Sequence, residues 1–556
     1  MGSLEVTSEH DSSRRDSTFR LSRRELIAAM LGVPALLTGC TGTNRLPPHG
    51  ELLGQSASIG HKLRDGFRPR PAADQWQDVQ VVIVGGGVAG LAAAWKLKQV
   101  GCHDFVVLEL EEEPGGTSRS GKSAVSAYPW GAHYVPVPLA DNTELIRLLT
   151  EMNAVESILE DGSPVIAEQF LCRDPEERLY FEGRWIEGLY PSIGASERDL
   201  AELAEFRTEI DRWVRWRDPS GRRAFTIPSS RASDDPAAMS LDQITMGEWL
   251  RQHGWTSSRL NWLVDYSCRD DYGLTSEQTS AWAGLLYFAG RLKEPGADHQ
   301  PLITWPQGNG RLIEYLASVA GDRLRTGIAV TQITPDSESG QIHCVCFDTR
   351  DESVTGIRAK QVIFAAPTML APRLIDGFTE RTGRSARQFE YGSWIVANLH
   401  LSGRPREQSF PLSWDNVIHD SQSLGYVVAT HQSEIDYGET VLTWYYPYCD
   451  SDARGLRERL LAATWADLAD VVLTDLERPH PDIRQLVNRL DIFCWGHAMI
   501  RPRPGFISSP ERRQACLPDG AIHFAHTDLS GIALFEEAFD HGCRAANEVV
   551  RELSPS

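Results

Sequence analysis

Three glycines with G-x-G-x-x-G spacing, Gly85, Gly87 and Gly90, stand between the apolar run VQVVIV and the helically periodic LAAAWKLKQ. That order reads as a buried parallel strand, a tight turn and a helix. Gly85 permits the turn, Gly87 lets a pyrophosphate approach the backbone, and Gly90 lets the helix pack on its strand. The helix N-terminus supplies free N–H groups and a favourable dipole for phosphates. The next apolar run, FVVLE, ends in Glu109, placed to hydrogen-bond a ribose hydroxyl. Strand, glycines, helix, strand and terminal acid in this order predict a dinucleotide site.

Other chemistries find no such pattern. No CxxC, HExxH or GxSxG occurs, so neither a zinc site nor a hydrolase elbow is indicated. Cys344 and Cys346 lie in the alternating run IHCVCF, which puts both thiols on one strand face as buried small hydrophobes, and no metal is expected. A net charge of -21 argues against nucleic-acid partners and against docking on anionic lipid by charge alone. At 556 residues the chain has room for two or more domains.

Further segments extend the nucleotide reading. LEEEPGGTSRSG follows the second strand, YPWGAHYV spans 128–135, and AIHFAHTDLSGIALFEEAFDHGCRAANEVV closes the chain. Together with the glycine fingerprint they resemble the flavin-dependent amine oxidase superfamily, which also includes carotenoid desaturases and protoporphyrinogen oxidase. The resemblance runs from Val79 to about Leu553 and implies an α/β, two-domain fold. A Rossmann-type FAD-binding domain would comprise 77–140, 300–385 and 488–553, with a discontinuous α+β substrate domain in 141–299 and 386–487. It also implies non-covalent FAD, because Phe524, Ala525 and His526 occupy the region where covalent members carry a cysteine. In that family Glu109 would hold the adenosine ribose, and Gly115 and Gly116 would line the phosphate path. Gly131, Ala132 and His133 would run beside the flavin ring, Val330 would meet the adenine, and Thr527 and Asp528 would grip the phosphate or ribityl chain.

Departures from the family pattern bear on mechanism. Thr117 stands where an arginine usually follows the glycine pair, leaving Arg119 to reach the same phosphate. Val396 replaces the lysine that commonly holds a water near flavin N5. Leu534 and Phe535 lie where one tyrosine of an amine-orienting pair is expected, and His526 replaces a glycine. The resemblance then puts His133, Trp495, His497, His526 and Phe535 near the ring as catalytic candidates, histidine as a base or as a group that sets the flavin's potential. Trp213 and Trp216, on a periodic helix from Ser196, read as packing residues.

Upstream, SRRELIAAMLGVPALLTGC spans Ser22 to Cys40. Its apolar run from Leu26 to Leu37 is shorter than the ~20 residues that cross a bilayer, and Pro34 interrupts it. Arg23 and Arg24 resemble a twin-arginine export signal, and Leu37-Thr38-Gly39-Cys40 is similar to a lipoprotein cleavage box. The reading is a 1–40 leader with lipidation at Cys40, then a tether over 41–76. The protein would use the twin-arginine export machinery and face the periplasm, held to the membrane through its lipid only. A route that carries folded proteins suits a chain that must close around FAD before export. The function expected is oxidation of an amine or polyamine-like small molecule by hydride transfer to flavin, with oxygen or a quinone as acceptor. Three alternatives stay open: desaturation of an apolar, isoprenoid-like substrate; a non-catalytic FAD-containing envelope lipoprotein; and an NAD-linked dehydrogenase.

Overall fold

Runs of apolar residues sort the chain into two large sheets with no strand in common. The structure is a computed structural model that describes residues 49–554, apart from 298–299, 407–408, 434 and 450. The leader with Arg23, Arg24 and Cys40 lies outside the described residues.

The first sheet has seven strands and begins from Trp76–Val84. Val81, Val82 and Ile83 in that strand are fully buried, as a parallel strand covered on both faces requires. On one side it pairs in parallel with Phe105–Leu108, and on the other with Val354–Phe364. Val354–Phe364 is long enough to serve two partners on its far edge, antiparallel Ile342–Asp348 and parallel Ile522–Phe524. Residues distant in sequence, near 80, 360 and 520, thereby meet in one layer. Helix Val88–Gln99 packs against the C-terminal helix Phe535–Leu553 so closely that a Cβ at Gly542 would overlap the Ala89 carbonyl oxygen. Cys344 and Cys346 are both buried in the apolar core beside this sheet.

The second sheet has eight strands in the order Leu52–Gly54, Val487–Ile500, Tyr391–Leu401, Thr440–Tyr448, Gly425–Val428, Asp415–Ile418, Glu177–Phe181 and Arg184–Glu187. Tyr391–Leu401 is buried along nearly its whole length, so this sheet too is covered on both faces. Strand Val487–Ile500, grouped by sequence with the nucleotide-binding segments, hydrogen-bonds into this second sheet. Helices Glu197–Arg215, Ser258–Tyr272 and Ala281–Ala289 pack together in the neighbouring core. The first opens on a reciprocal capping box between Ser196 and Asp199, and its Trp213 packs edge-on against Phe225.

The expected tether over 41–76 is ordered in its described part, which corrects the sequence reading. Leu52–Gly54 adds a parallel strand to Val487–Ile500, and helix Ala57–Arg64 follows. Ser56 donates from both its backbone N–H and its hydroxyl to the Glu111 carboxylate, at 2.8 and 3.0 Å. The Pro and Gly content that suggested a loose linker is local punctuation between short elements.

Candidate active site

The turn after Trp76–Val84 builds the first half of the site from backbone alone. Gly85 adopts a φ of 108°, open to glycine at no steric cost, and a Cβ there would press on the Ala365 carbonyl oxygen. A Cβ at Gly90 would overlap the Gly85 carbonyl oxygen, so the helix must carry glycine to lie this close to its own turn. A Cβ at Gly87, by contrast, would meet no atom within 4 Å. Gly116, with φ 56°, faces it, 3.7 Å from the Gly87 Cα as measured from an ideal Cβ, and the Gly115 N–H donates to the Gly86 carbonyl at 2.8 Å. Two glycine segments thus form opposite walls of an open cradle at a helix N-terminus, the geometry a pyrophosphate needs.

Glu109 ends the second strand as expected. Its carboxylate accepts from the Gly86 N–H at 2.6 Å and from the Glu111 N–H at 2.8 Å, while burial pushes it up from its ordinary pKa. Arg119 lies over the rings of Phe493 and Trp495, at 4.9 and 5.4 Å, with Glu111 at 3.9 Å. Its Nε is buried with no hydrogen-bond partner, an orphaned cationic donor that suits a phosphate. The open cradle, the acid at the strand end and this orphaned donor together fit FAD.

The Gly131–His133 segment is clamped from several sides. Ala132 N–H donates to the Thr117 carbonyl at 3.0 Å, Asn309 N–H donates to the Ala132 carbonyl at 3.1 Å, and the Thr304 hydroxyl donates to the His133 carbonyl at 2.8 Å. The Tyr445 hydroxyl donates to the Gly131 carbonyl at 2.9 Å. The His133 imidazole sits 4.9 Å from the Tyr445 ring and 5.3 Å from Trp414, and burial lowers its pKa to about 4. Burial therefore favours the neutral imidazole at His133 near pH 7.

The catalytic candidates fall into three places. His133 and Trp495 border one aromatic group that also holds Trp130, Trp414 and Tyr445; Trp495 is fixed by its indole N–H to the Trp130 carbonyl at 2.7 Å. His497 and His526 flank a separate network. The sealed Asp528 carboxylate accepts from Tyr391 at 2.5 Å and from the Thr368 N–H at 2.8 Å, with His526 Nδ1 at 2.9 Å, and His497 lies 5.9 Å from the Tyr391 ring. Burial alone would raise the Asp528 pKa, but His526, Tyr391 and the Thr368 N–H bring it below its ordinary value. Asp528 therefore struts the fold, and Thr527 is the member of the pair that keeps open surface. Phe535 departs furthest from expectation: it packs on Phe539 in the core beneath the glycine helix, with no part in the aromatic group around His133. Val330 is also a core side chain, in a strand whose Ile328 N–H donates to the Glu109 carbonyl at 2.8 Å.

Sequence reasoning missed a set of acids near this aromatic group. Asp415 heads its strand in register with Glu177 of the parallel neighbour, so both side chains share one face. Asp270 lies in the last turn of Ser258–Tyr272. Burial raises both Asp415 and Asp270 above the usual carboxylate range, yet each keeps part of its surface accessible. Asp271, beside Asp270, is held by Arg291 through two contacts of 2.8 and 3.0 Å. The tandem RDDY carries no sequence signal for this division of roles.

Val396, at the position of the family's lysine, is buried between Tyr445 and Phe493 on adjacent strands. No ammonium group is placed there, and the floor of the site at that point is apolar.

Comparison with known proteins agrees with this geometry. The sequence model of flavin containing amine oxidoreductase matches residues 88–550. A Mycobacterium tuberculosis protein named as a flavin-containing monoamine oxidase is 27% identical over 47% of this chain and 54% of its own. Flavin-containing amine oxidase B of Sus scrofa is 27% identical over 53% of this chain and 51% of its own. The chain thus spans about half the length of the curated relatives it matches. Among solved structures, putrescine oxidase bound to putrescine superposes with a TM-score of 0.61 at 18% identity, covering 86% of this chain and 100% of that one. A fatty acid isomerase from P. acnes does so with 0.58 at 15%, over 86% and 99%. At these identities the superpositions speak for fold alone. With the cradle, the Glu109 strand end and a match across most of its length, the chain belongs to the flavin-containing amine oxidoreductase family.

Proposed function

We propose that this protein is an FAD-dependent oxidoreductase that oxidises an amine and is exported and held at the membrane by a lipid on Cys40. The observation that carries the chemistry is the placement of His133 and Tyr445 on the Gly131 segment. That segment is tied to the Thr117 carbonyl, one residue beyond the glycine cradle. Bound flavin would supply an acceptor for a hydride from the carbon beside the amine nitrogen. Gly85, Gly87, Gly115 and Gly116 would cradle the pyrophosphate, Arg119 would neutralise it, and Glu109 would hold the ribose. The aromatic walls exclude water, and neutral His133 orients without competing for charge.

An anaerobic flavin-reduction screen across amines, amino acids and isoprenoids tests this. Bleaching by amines supports the proposal. Bleaching by isoprenoids alone would favour desaturation, a reading that the apolar Val396 floor encourages. A flavin that resists every candidate would point to a non-catalytic envelope lipoprotein. Oxygen or a quinone is proposed as the acceptor, distinguished by reoxidation rates of the reduced protein. FAD is proposed to be non-covalent, so acid precipitation should leave the pellet colourless.

The export reading rests on the Ser22–Cys40 leader and on the need to fold around FAD before crossing a membrane. Replacing Arg23 and Arg24 with lysines should retain flavin-loaded protein in the cytoplasm. Undiminished export of that variant would overturn this part of the proposal.

A further inference from the structure

Arg119, the orphaned donor at the cradle, is flanked by two supports that a third segment holds in place. Its guanidinium lies over the rings of Phe493 and Trp495, and its Nη1 stands 3.9 Å from Glu111 Oε2. The segment 49–67 reaches both supports. Leu52, Leu53 and Gly54 pair in parallel with Ile492, Phe493 and Cys494, and Leu53 packs on the aromatic cluster that contains both rings. Two residues after Gly54, Ser56 engages both oxygens of the Glu111 carboxylate, its N–H at 2.8 Å and its hydroxyl at 3.0 Å. Within hydrogen-bonding distance of Arg119, that carboxylate would occupy the donors a phosphate needs. Held at 3.9 Å by the two Ser56 donors, it orients the guanidinium by charge and leaves Nε open.

Both ends of this segment are built to dock. Glu51 donates its N–H to Asp491 Oδ1 at 3.0 Å, and its carboxylate accepts from Arg489 at 3.0 Å. Gly50 passes so close to the Leu490 carbonyl oxygen and the Trp465 ring that a Cβ would overlap both. At the other end Ile59, Leu63 and Phe67 pack with Ala329, Phe347 and Leu110, and Phe67 meets Phe347 edge-on at 5.2 Å. Leu110 lies between Glu109 and Glu111, and Ala329 precedes Val330. The segment therefore runs from the eight-stranded sheet to the outer side of the segments expected to frame the adenosine. Within 49–67 only Ile59 is fully buried, so undocking exposes one core side chain and leaves both sheets intact.

We propose that residues 49–67 are a strap that retains FAD, with Ser56 the positioning residue that holds Glu111 off Arg119 and keeps Arg119 free for the pyrophosphate. Docking of the strap and binding of FAD favour the same placement of Arg119, so each strengthens the other. Such a strap acts on the cofactor and is indifferent to which substrate the protein oxidises.

The test measures release of FAD from the loaded full chain after dilution, read as free flavin crossing an ultrafiltration membrane with time. Ser56→Ala should speed release by about 5-fold, the scale of one hydrogen bond. Ser56→Thr keeps the hydroxyl and should stay within about 2-fold of the unsubstituted protein. Gly50→Val dislodges the far end of the strap without touching Glu111, and should also speed release by about 5-fold or more. In an Arg119→Gln background, which already sheds flavin faster, Ser56→Ala should add less than about 2-fold, because it acts through that arginine. Urea midpoints of the same variants separate cofactor retention from plain stability. Lower midpoints with release unchanged in both Ser56→Ala and Gly50→Val overturn the strap. An undiminished Ser56→Ala effect in the Arg119→Gln background overturns the positioning role.

Discussion

The two halves of the site are built on opposite terms. Around Gly85–Gly90 and Gly115–Gly116 the work is done by main-chain atoms, and side chains matter by their absence. Around His133, Trp414, Tyr445 and Asp415 the backbone lies in strands or next to their ends, and side chains supply the environment. At Gly85 and Gly90 this backbone tolerates no added carbon, because the carbonyl oxygens it would meet belong to hydrogen-bonded segments that cannot rotate away, whereas the space at Gly87 is open. A chamber made of side chains can change its chemistry by substitution while the strands beneath keep their register. Family members can therefore share a cofactor fold and diverge at the substrate.

If the cradle is backbone, one added side chain should break it. Gly90→Val would drive a Cβ into the Gly85 carbonyl, and a stability loss of about 2–3 kcal/mol is expected, with loss of bound flavin. Visible absorbance of the purified variant and its urea midpoint would show this; a stable, yellow variant would erase the contrast.

The chamber should respond to pH through His133. Burial holds His133 at about 4 in the folded protein, whereas a free imidazole titrates near 6.5. Between those values the unfolded chain binds a proton that the folded site refuses. Stability is therefore full above about pH 6.5 and declines as pH falls toward 4, a window equivalent to about 3 kcal/mol. His133→Gln should flatten that decline in urea titrations taken across the window. An unchanged slope would place the effect on other buried histidines, of which His497 and His480 are also held low by burial.

The smallest effect is expected where the two halves touch. Tyr445→Phe removes one hydrogen bond to the Gly131 carbonyl, worth about 1 kcal/mol. The variant should keep its flavin and show a several-fold change in the rate of anaerobic flavin reduction. A change in flavin affinity of tenfold or more would mean that the chamber helps to hold the cofactor.

Legibility followed the same division. Gly85, Gly87, Gly90 and Glu109 were readable because consecutive residues build the strand, turn and helix, so local spacing is the structure. The Gly115–Gly116 wall and the clamped Gly131–His133 segment could be named from resemblance, since both lie close in sequence to the fingerprint. Phe535 was misplaced because a helix N-terminus shows which residue comes first but not which core that residue enters. The contacts by which Asp528 ties Tyr391 to the Thr368 turn were not readable, since those partners lie 137 and 160 residues away. The ordered segment from Leu52 onward was hidden for the same reason, since its strand partner lies near residue 492.

By itself, the sequence determined the nucleotide-binding turn, the acid that ends the second strand and the family. Each depends on neighbours along the chain or on patterns shared across a whole fold. Only the tertiary structure decided which acids are paired. Asp270 and Asp271 are adjacent in sequence and chemically identical, yet Arg291 donates its hydrogen bonds to Asp271 and not to Asp270. The physical reason is that a carboxylate's energy is set by the charges and the water around it, and long-range strand pairing and helix packing bring those together.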